Sequence, residues 1–165
     1  MIRILASLVL ALLLALPATA QVLDGRDRDK PIEIQADNLQ VDRDARVAVF
    51  TGNVDARQGR MTLKADQLRV HYREGGDAGA SGGNISLIEA IGNVEVSTET
   101  ERATGAAGAY DVDKGIITLQ GGVRLYGKQS VLTGNQVVMD LNSGQSRLGG
   151  QGRVTATFDP TKSGN

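Results

Sequence analysis

The sequence predicts an all-β protein of stacked, bent antiparallel strands, and three observations carry that expectation. Segments with apolar residues at every second position are separated by Gly, Asn and Asp, the pattern of half-buried strands and tight turns. Two short phrases recur at matching intervals, as they do where each repeat adds one structural unit. The inward parity also switches midway along one class of strand, which demands a bulge or a sharp bend. No stretch after residue 20 carries a sustained helical period.

In chain order, residues 1–20 come first. Arg3 precedes an apolar run from Ile4 to Leu16, then Pro17, and the segment ends Ala18-Thr19-Ala20. A run of about thirteen residues is short for a bilayer and suits the apolar region of a cleavable secretory signal. The mature chain is expected to begin at Gln21, in an exported, aqueous setting. Loss of Arg3 leaves 17 basic against 19 acidic side chains, a formal charge of −2. Residues 21–30, charged from Asp24 to Lys30, read as a flexible leader.

Beyond Pro31 the repeats begin. One phrase is Gly-x-Val followed by alternation: Gly52-Asn53-Val54, Gly92-Asn93-Val94, Gly121-Gly122-Val123 and, more loosely, Gly152-Arg153-Val154. The other places a small residue before an apolar pair, as in Ala36-Asp37-Asn38-Leu39-Gln40-Val41 and Ala65-Asp66-Gln67-Leu68-Arg69-Val70. It returns loosely around Gly105 to Val112 and Gly134 to Met139. Ala36 to Ala65 is 29 residues, Ala65 to Gly105 is 40 and Gly105 to Gly134 is 29, while Gly52 to Gly92 is 40 and Gly92 to Gly121 is 29. The Gly-rich segment 74–84 accounts for the eleven extra residues as a flexible insertion in one loop.

Side-chain parity predicts the geometry. Ile88, Ala90, Gly92, Val94 and Val96 keep one parity, as do Ile117, Leu119, Gly121, Val123 and Leu125. Such strands bury one face. In the other phrase Ile32, Ile34 and Ala36 give way to Leu39 and Val41. Likewise Met61, Leu63 and Ala65 give way to Leu68, Val70 and Tyr72, and Leu132 and Gly134 to Val137 and Met139. The extra residue is therefore expected at each Ala-Asp or Gly-Asn step, where the strand passes from one sheet into a second that faces it. Gly52, Gly92 and Gly121 fall at inward positions, and two readings stay open. They permit twist and close packing, or they keep an apolar groove open between the sheets. The first strand, near Ile32 to Ala36, and the last, near Arg153 to Phe158, are expected to be the edges of the stack; either loops cover them or they are exposed and template pairing with another chain. The polar tail 159–165 is expected to be mobile.

Much chemistry is disfavoured. There is no cysteine and one histidine, His71, whose parity turns it outward with Arg69. Asp24, Asp27 and Asp29 lack EF-hand spacing. Asp42 and Asp44 sit with Arg43 and Arg46 in what reads as a solvated turn. No Gly-x-Ser-x-Gly, P-loop or Rossmann fingerprint occurs. No catalytic residue, metal site or cofactor is expected, and an enzyme is disfavoured. Eighteen Lys/Arg against nineteen Asp/Glu, with five aromatics and no Trp, argue against nucleic acid. A carbohydrate-binding or hydrolytic sandwich would need exposed aromatics or paired carboxylates in a cleft.

Taken together, Pro31-Ile32-Glu33-Ile34-Gln35-Ala36-Asp37, Val49-Phe50-Thr51-Gly52-Asn53-Val54, Thr104-Gly105 through Tyr110-Asp111, and Leu132-Thr133-Gly134-Asn135 resemble the OstA-like periplasmic domain family of lipopolysaccharide export. The resemblance runs from about Pro31 to Phe158. It implies a twisted β-jelly roll with an open V-shaped apolar interior. It implies head-to-tail self-association of copies through edge strands, and joining to the OstA-like partner domains at the inner and outer membranes. The groove would then carry lipopolysaccharide from the inner-membrane transporter complex to the outer-membrane translocon. Ile32 and Ile34 match family contacts to the lipid A acyl chains, and Tyr110 and Val112 occupy a similar position in the third repeat. Parity adds Phe50 and Leu119. The alternative is an exported structural β-solenoid or interaction domain without a lipid ligand.

Overall fold

Turns and bends set by local side chains divide the chain into ten strands. The computed structural model describes residues 30–73 and 85–158. The expected signal peptide, most of the leader, the Gly-rich insertion at 74–84 and the tail lie outside the described residues. The strands are β1 (Ile32–Gln35), β2 (Asn38–Asp42), β3 (Val47–Gln58), β4 (Met61–Tyr72), β5 (Ile85–Ser97), β6 (Arg102–Asp111), β7 (Ile116–Tyr126), β8 (Ser130–Asp140), β9 (Gln145–Gly149) and β10 (Thr155–Phe158). All pairings are antiparallel, in the order β1-β3-β4-β5-β6-β7-β8-β10, with β2 added to β3 and β9 to β8. The protein is an all-β jelly roll of stacked, bent strands.

A line of register breaks folds this continuous ladder into two facing layers. On one side of the line run β1, Val54–Gln58, Met61–Ala65, Val94–Ser97, Arg102–Gly105, Val123–Tyr126, the start of β8 and β10. We call this layer sheet I. On the other side run β2, Val47–Thr51, Gln67–Tyr72, Ile85–Ile91, Ala107–Asp111, Ile116–Gln120, Gln136–Asp140 and β9. This is sheet II.

The bend lies where parity predicts it, but its chemistry sits on the opposite strand. In β3, β5 and β7 two residues oppose one across each break: Gly52-Asn53 faces Asp66, Gly92-Asn93 faces Ala106, and Gly121-Gly122 faces Asn135. All six carry positive φ, from 46° at Asn53 and Asn93 to 82° at Gly52. A left-handed pair inserted into a strand bends it and keeps its parity, whereas the single residue opposite reverses parity. The Ala-Asp step is thus the response, and the Gly-Asn step makes the bend. Asparagine tolerates the left-handed region better than most residues. Here its amide also donates across the bend, from Asn53 Nδ2 to Asp37 Oδ2 at 2.8 Å and from Asn93 Nδ2 to Asp66 Oδ2 at 2.9 Å.

This placement decides between the two readings of the inward glycines. A Cβ at Gly52 would stand 2.5 Å from Asp37 Oδ2, and one at Gly92 would likewise strike Asp66 Oδ2. Both glycines therefore permit the bend and the close approach of an aspartate, and they do not hold the sheets apart. Small residues elsewhere are compensated by large neighbours: a Cβ at Gly108 would lie 2.6 Å from Leu119 Cδ2, and one at Gly134 2.9 Å from Leu148 Cγ.

The turns at the far rim of sheet II repeat one device. Asp42 Oδ1 accepts the Ala45 N–H at 2.9 Å, Asp111 Oδ1 the Lys114 N–H at 3.0 Å, and Asp140 Oδ1 the Asn142 N–H at 2.8 Å. The carboxylate mimics a backbone acceptor and closes the turn. Asp42 and Asp44 are accordingly turn residues on an exposed rim.

Candidate functional site

The inner faces of both sheets form one apolar row per strand. Leu68, Val70, Val96, Ala103, Leu119, Val123 and Val137 are fully buried, with Ile117, Val94 and Ala90 close behind. In the middle strands the space between the sheets is therefore filled by the protein's own side chains.

At the two ends the row continues but its cover stops. Ile32 and Ile34 of β1 lie opposite Gln58 and Ala56, and Leu39 and Val41 of β2 lie opposite Phe50 and Ala48, so all four take the inward face. Leu39 is nevertheless 56 % exposed and Val41 40 % exposed, because no strand among the described residues pairs beyond β2. At the opposite end Ala156 of β10 lies opposite Leu132, and Phe158, two residues on, shares that face at 70 % exposure. Leu148 of β9, half-buried, continues the same face in sheet II. The expected edges at Ile32 to Ala36 and at Phe158 are thus terminal strands, each joined by a further edge, β2 and β9, that parity did not single out.

The six residues expected to touch lipid fall into two groups. Ile32, Ile34, Phe50 and Val112 are partly buried and pack on the rim of the core. Tyr110 and Leu119 are closed inside it. Leu119 fills the space above Gly108. A cavity of about 20 Å³ lies between the sheets near the β1 end, lined by Ile32, Ala56, Met61, Leu63, Ile88 and Tyr110 among others. That is roughly room for one water molecule.

Sequence reasoning missed Gln58, the polar side chain that the described core buries. It ends the inward row Val54-Ala56-Gln58, so alternation alone marks it as a polar group on an apolar face. Tyr110 Oη donates to Gln58 Oε1 at 3.2 Å, and Gln58 Nε2 donates to the Lys30 carbonyl at 3.1 Å. Ser146 Oγ of β9 donates at 2.9 Å to Glu101 Oε2, in the turn between β5 and β6.

The outer faces are charged. His71 Nε2 lies 2.8 Å from Glu89 Oε2, and Arg69 is exposed beside it. Arg57 donates to Asp55 Oδ1 at 2.9 Å and holds that carboxyl below its ordinary range. Arg102 pairs with Glu95 at 2.9 Å and stacks 4.4 Å above the Tyr126 ring. These are solvated pairs of small energetic weight.

The architecture defines an OstA-like β-jelly roll, an apolar interior between two antiparallel layers. Residues 33–145 match the LptA/(LptD N-terminal domain) LPS transport protein family, and the chain belongs to it, as an LptA-like protein. An uncharacterized protein of Rhizobium meliloti (strain 1021) is 34 % identical over 159 residues, 91 % of this chain and 86 % of that one. The LPS-assembly protein LptD of Escherichia coli (strain K12) is 29 % identical over 109 residues, 66 % of this chain but 13 % of LptD. LptH of Pseudomonas aeruginosa, described as the LptA homologous periplasmic component of the lipopolysaccharide transport device, has the same fold. Its TM-score is 0.70 at 19 % identity, covering 81 % of this chain and 99 % of LptH. The family is one of lipopolysaccharide transport proteins.

Proposed function

We propose that this chain is a periplasmic lipopolysaccharide-binding bridge. It carries lipopolysaccharide from the inner-membrane transporter complex toward the outer-membrane translocon, and it does so by end-to-end strand pairing with further copies and with OstA-like partner domains. In this reading residues 1–20 are removed on export, the mature chain starts at Gln21, and residues 31–158 form the working domain. The observation that carries the reading is the apolar inner row, which extends past its cover at both ends onto edge strands that no further strand pairs with among the described residues. A second domain paired there continues both the ladder and the greasy surface.

The energetics fit. Each methylene transferred out of water is worth about 0.8 kcal/mol, so a lipid with several acyl chains faces tens of kcal/mol in bare water. A continuous apolar track keeps burial nearly constant at each step, and drive must come from a partner. Ile32, Ile34, Phe50 and Val112 are the contacts within reach, and Tyr110 and Leu119 join them once the sheets part. The packed middle strands favour one competing reading, a structural β-domain without lipid.

One experiment separates them. A photo-crosslinking residue at Ile34 should capture lipopolysaccharide in cells, while one at His71, outward and beside Glu89, should not. Equal capture at the two positions, or none at either, removes the lipid-conducting reading. Ile34→Asp should abolish lipid binding in a protein that still folds.

A further inference from the structure

We infer that the third bend of the stack, at Gly121-Gly122 in β7, is a hinge held more loosely than the two bends before it, and that the jelly roll opens there to admit its cargo; the cargo's part in this rests on the function proposed above. The three bends share one backbone device, a left-handed pair opposite a single residue. They differ in what the side chains add. At the first, Asn53 Nδ2 donates to Asp37 Oδ2, and at the second, Asn93 Nδ2 donates to Asp66 Oδ2. Each bond is a strut from the bulged strand to the turning point of the chain run before it. At the third bend both partners are missing together. Gly122 stands where Asn53 and Asn93 stand, and Ala106 stands where Asp37 and Asp66 stand. The equivalence is spatial as well as sequential: a Cβ at Gly121 would lie 2.8 Å from Ala106 Cβ, just as one at Gly52 would strike Asp37. Glycine and alanine have no side-chain donor or acceptor, so this bend has no strut.

Two further features act in the same direction. A Gly-Gly pair leaves both residues of the bulge free to move in φ and ψ, whereas a Gly-Asn pair leaves one. There is also room for movement. A cleft of about 350 Å³ lies on the outer side of the crease, lined by Asn93, Glu95, Thr104, Gly105, Gly122 and Arg124 among others. A Cβ at Gly122 would meet nothing within 4 Å. Inside the same bend lie Leu119, Val123 and Val137, all fully buried. When the hinge opens, the two arms of β7 part and this apolar surface is uncovered. Beyond β8 only β9 and β10 remain to be carried along among the described residues. The strutted bends at Asn53 and Asn93 hold the other half of the stack as a frame.

Native-state hydrogen exchange, read residue by residue, tests the hinge. Val54, Val94 and Val123 each follow the left-handed pair of one bend. Corrected for intrinsic rates, the Val123 amide of the wild type should be protected about three- to tenfold less than the other two, the worth of one hydrogen bond in a local opening equilibrium. Fraying from an edge would give another order, because β3 lies one strand from its end of the ladder and β7 two. The double variant Ala106→Asp/Gly122→Asn should restore the strut and raise protection at Val123 by a similar factor, beyond the sum of the two single changes, with Val54 unaltered. Asp66→Ala should bring Val94 down toward the level of Val123. Equal protection at the three wild-type bends, or a double variant no better than its singles combined, overturns the hinge. If the double variant does not fold, the wild-type order and Asp66→Ala still decide. Loading with purified lipopolysaccharide should be slowed about three- to tenfold in the double variant. Slower exchange with unaltered loading would deny the hinge a part in cargo entry. A wild-type chain that binds no lipopolysaccharide, while its three bends keep the expected order, sinks the transport reading and leaves the hinge in place.

Discussion

Gly92 carries two separable demands, a left-handed backbone at φ +78° and a vacant Cβ site against Asp66. Gly122, at φ +62° with nothing within 4 Å of its Cβ site, carries the first alone. Gly122→Ala should therefore cost about 1–2 kcal/mol, the ordinary penalty of the left-handed region. Gly92→Ala should cost distinctly more in urea-unfolding midpoints, because the aspartate must move as well. Asp140 makes a different point. The backbone N–H of Asn142 and the Ser143 groups beside it hold its carboxyl below the ordinary aspartate range. A carboxyl depressed in the folded state adds stability that is present above its unfolded pKa, about 3.9, and lost as pH falls through the folded value. Asp140→Asn keeps an acceptor in the turn and cannot titrate. Its thermal midpoint should change less than the wild type's between pH 5 and pH 3, and equal changes would deny the turn a role in acid lability.

At the scale of the element, the informative strand is β2. Its five residues are all exposed although two of them, Leu39 and Val41, take the inward face. Replacing both by Lys should leave the monomer folded, because little is buried there to lose. It should also blunt pairing at that edge, as charged residues on edge strands do. Light scattering across a concentration series should show end-to-end assembly weakened by tenfold or so, roughly 1.4 kcal/mol. Undiminished assembly would move the interface away from β2. The strands were legible in outline: alternation placed Ile88, Ala90, Val94 and Val96 inward, and all four are buried. Alternation is a local property, and it says which face a side chain takes. It cannot say whether another strand covers that face, so β2 read as an ordinary strand rather than an edge, and β9 was not singled out at all.

For the whole molecule, the stack behaves as a row of layers, each held by its neighbours. Removal of a central apolar group should therefore cost much more than removal of a terminal one of the same chemistry. Leu68→Ala, at a fully buried site in β4, should lose about 2–5 kcal/mol. Leu39→Ala, more than half exposed, should lose under about 1 kcal/mol in the monomer. Denaturant midpoints compare the two directly, and equal losses would mean that the end layers are covered in solution. The same layering leaves the interior apolar from end to end, with its polar ties at the rim, Gln58 with Tyr110 and Glu101 with Ser146.

The chain's own pattern determined the all-β architecture, the repeat and the position of every bend, because period, parity and left-handed turn residues act over a few residues at a time. Parity also placed Ile32, Ile34 and Phe50 on the inner surface, while Val112 followed from the family resemblance alone. Tertiary structure decided what lies against that surface. Leu119 reaches over Gly108, Leu148 over Gly134, and Tyr110 meets Gln58 from 52 residues away. The last of these joins strands remote in sequence, and its outcome depends on the curvature that the bends together impose on two sheets. That curvature is a property of all the layers at once, and no single repeat contains it.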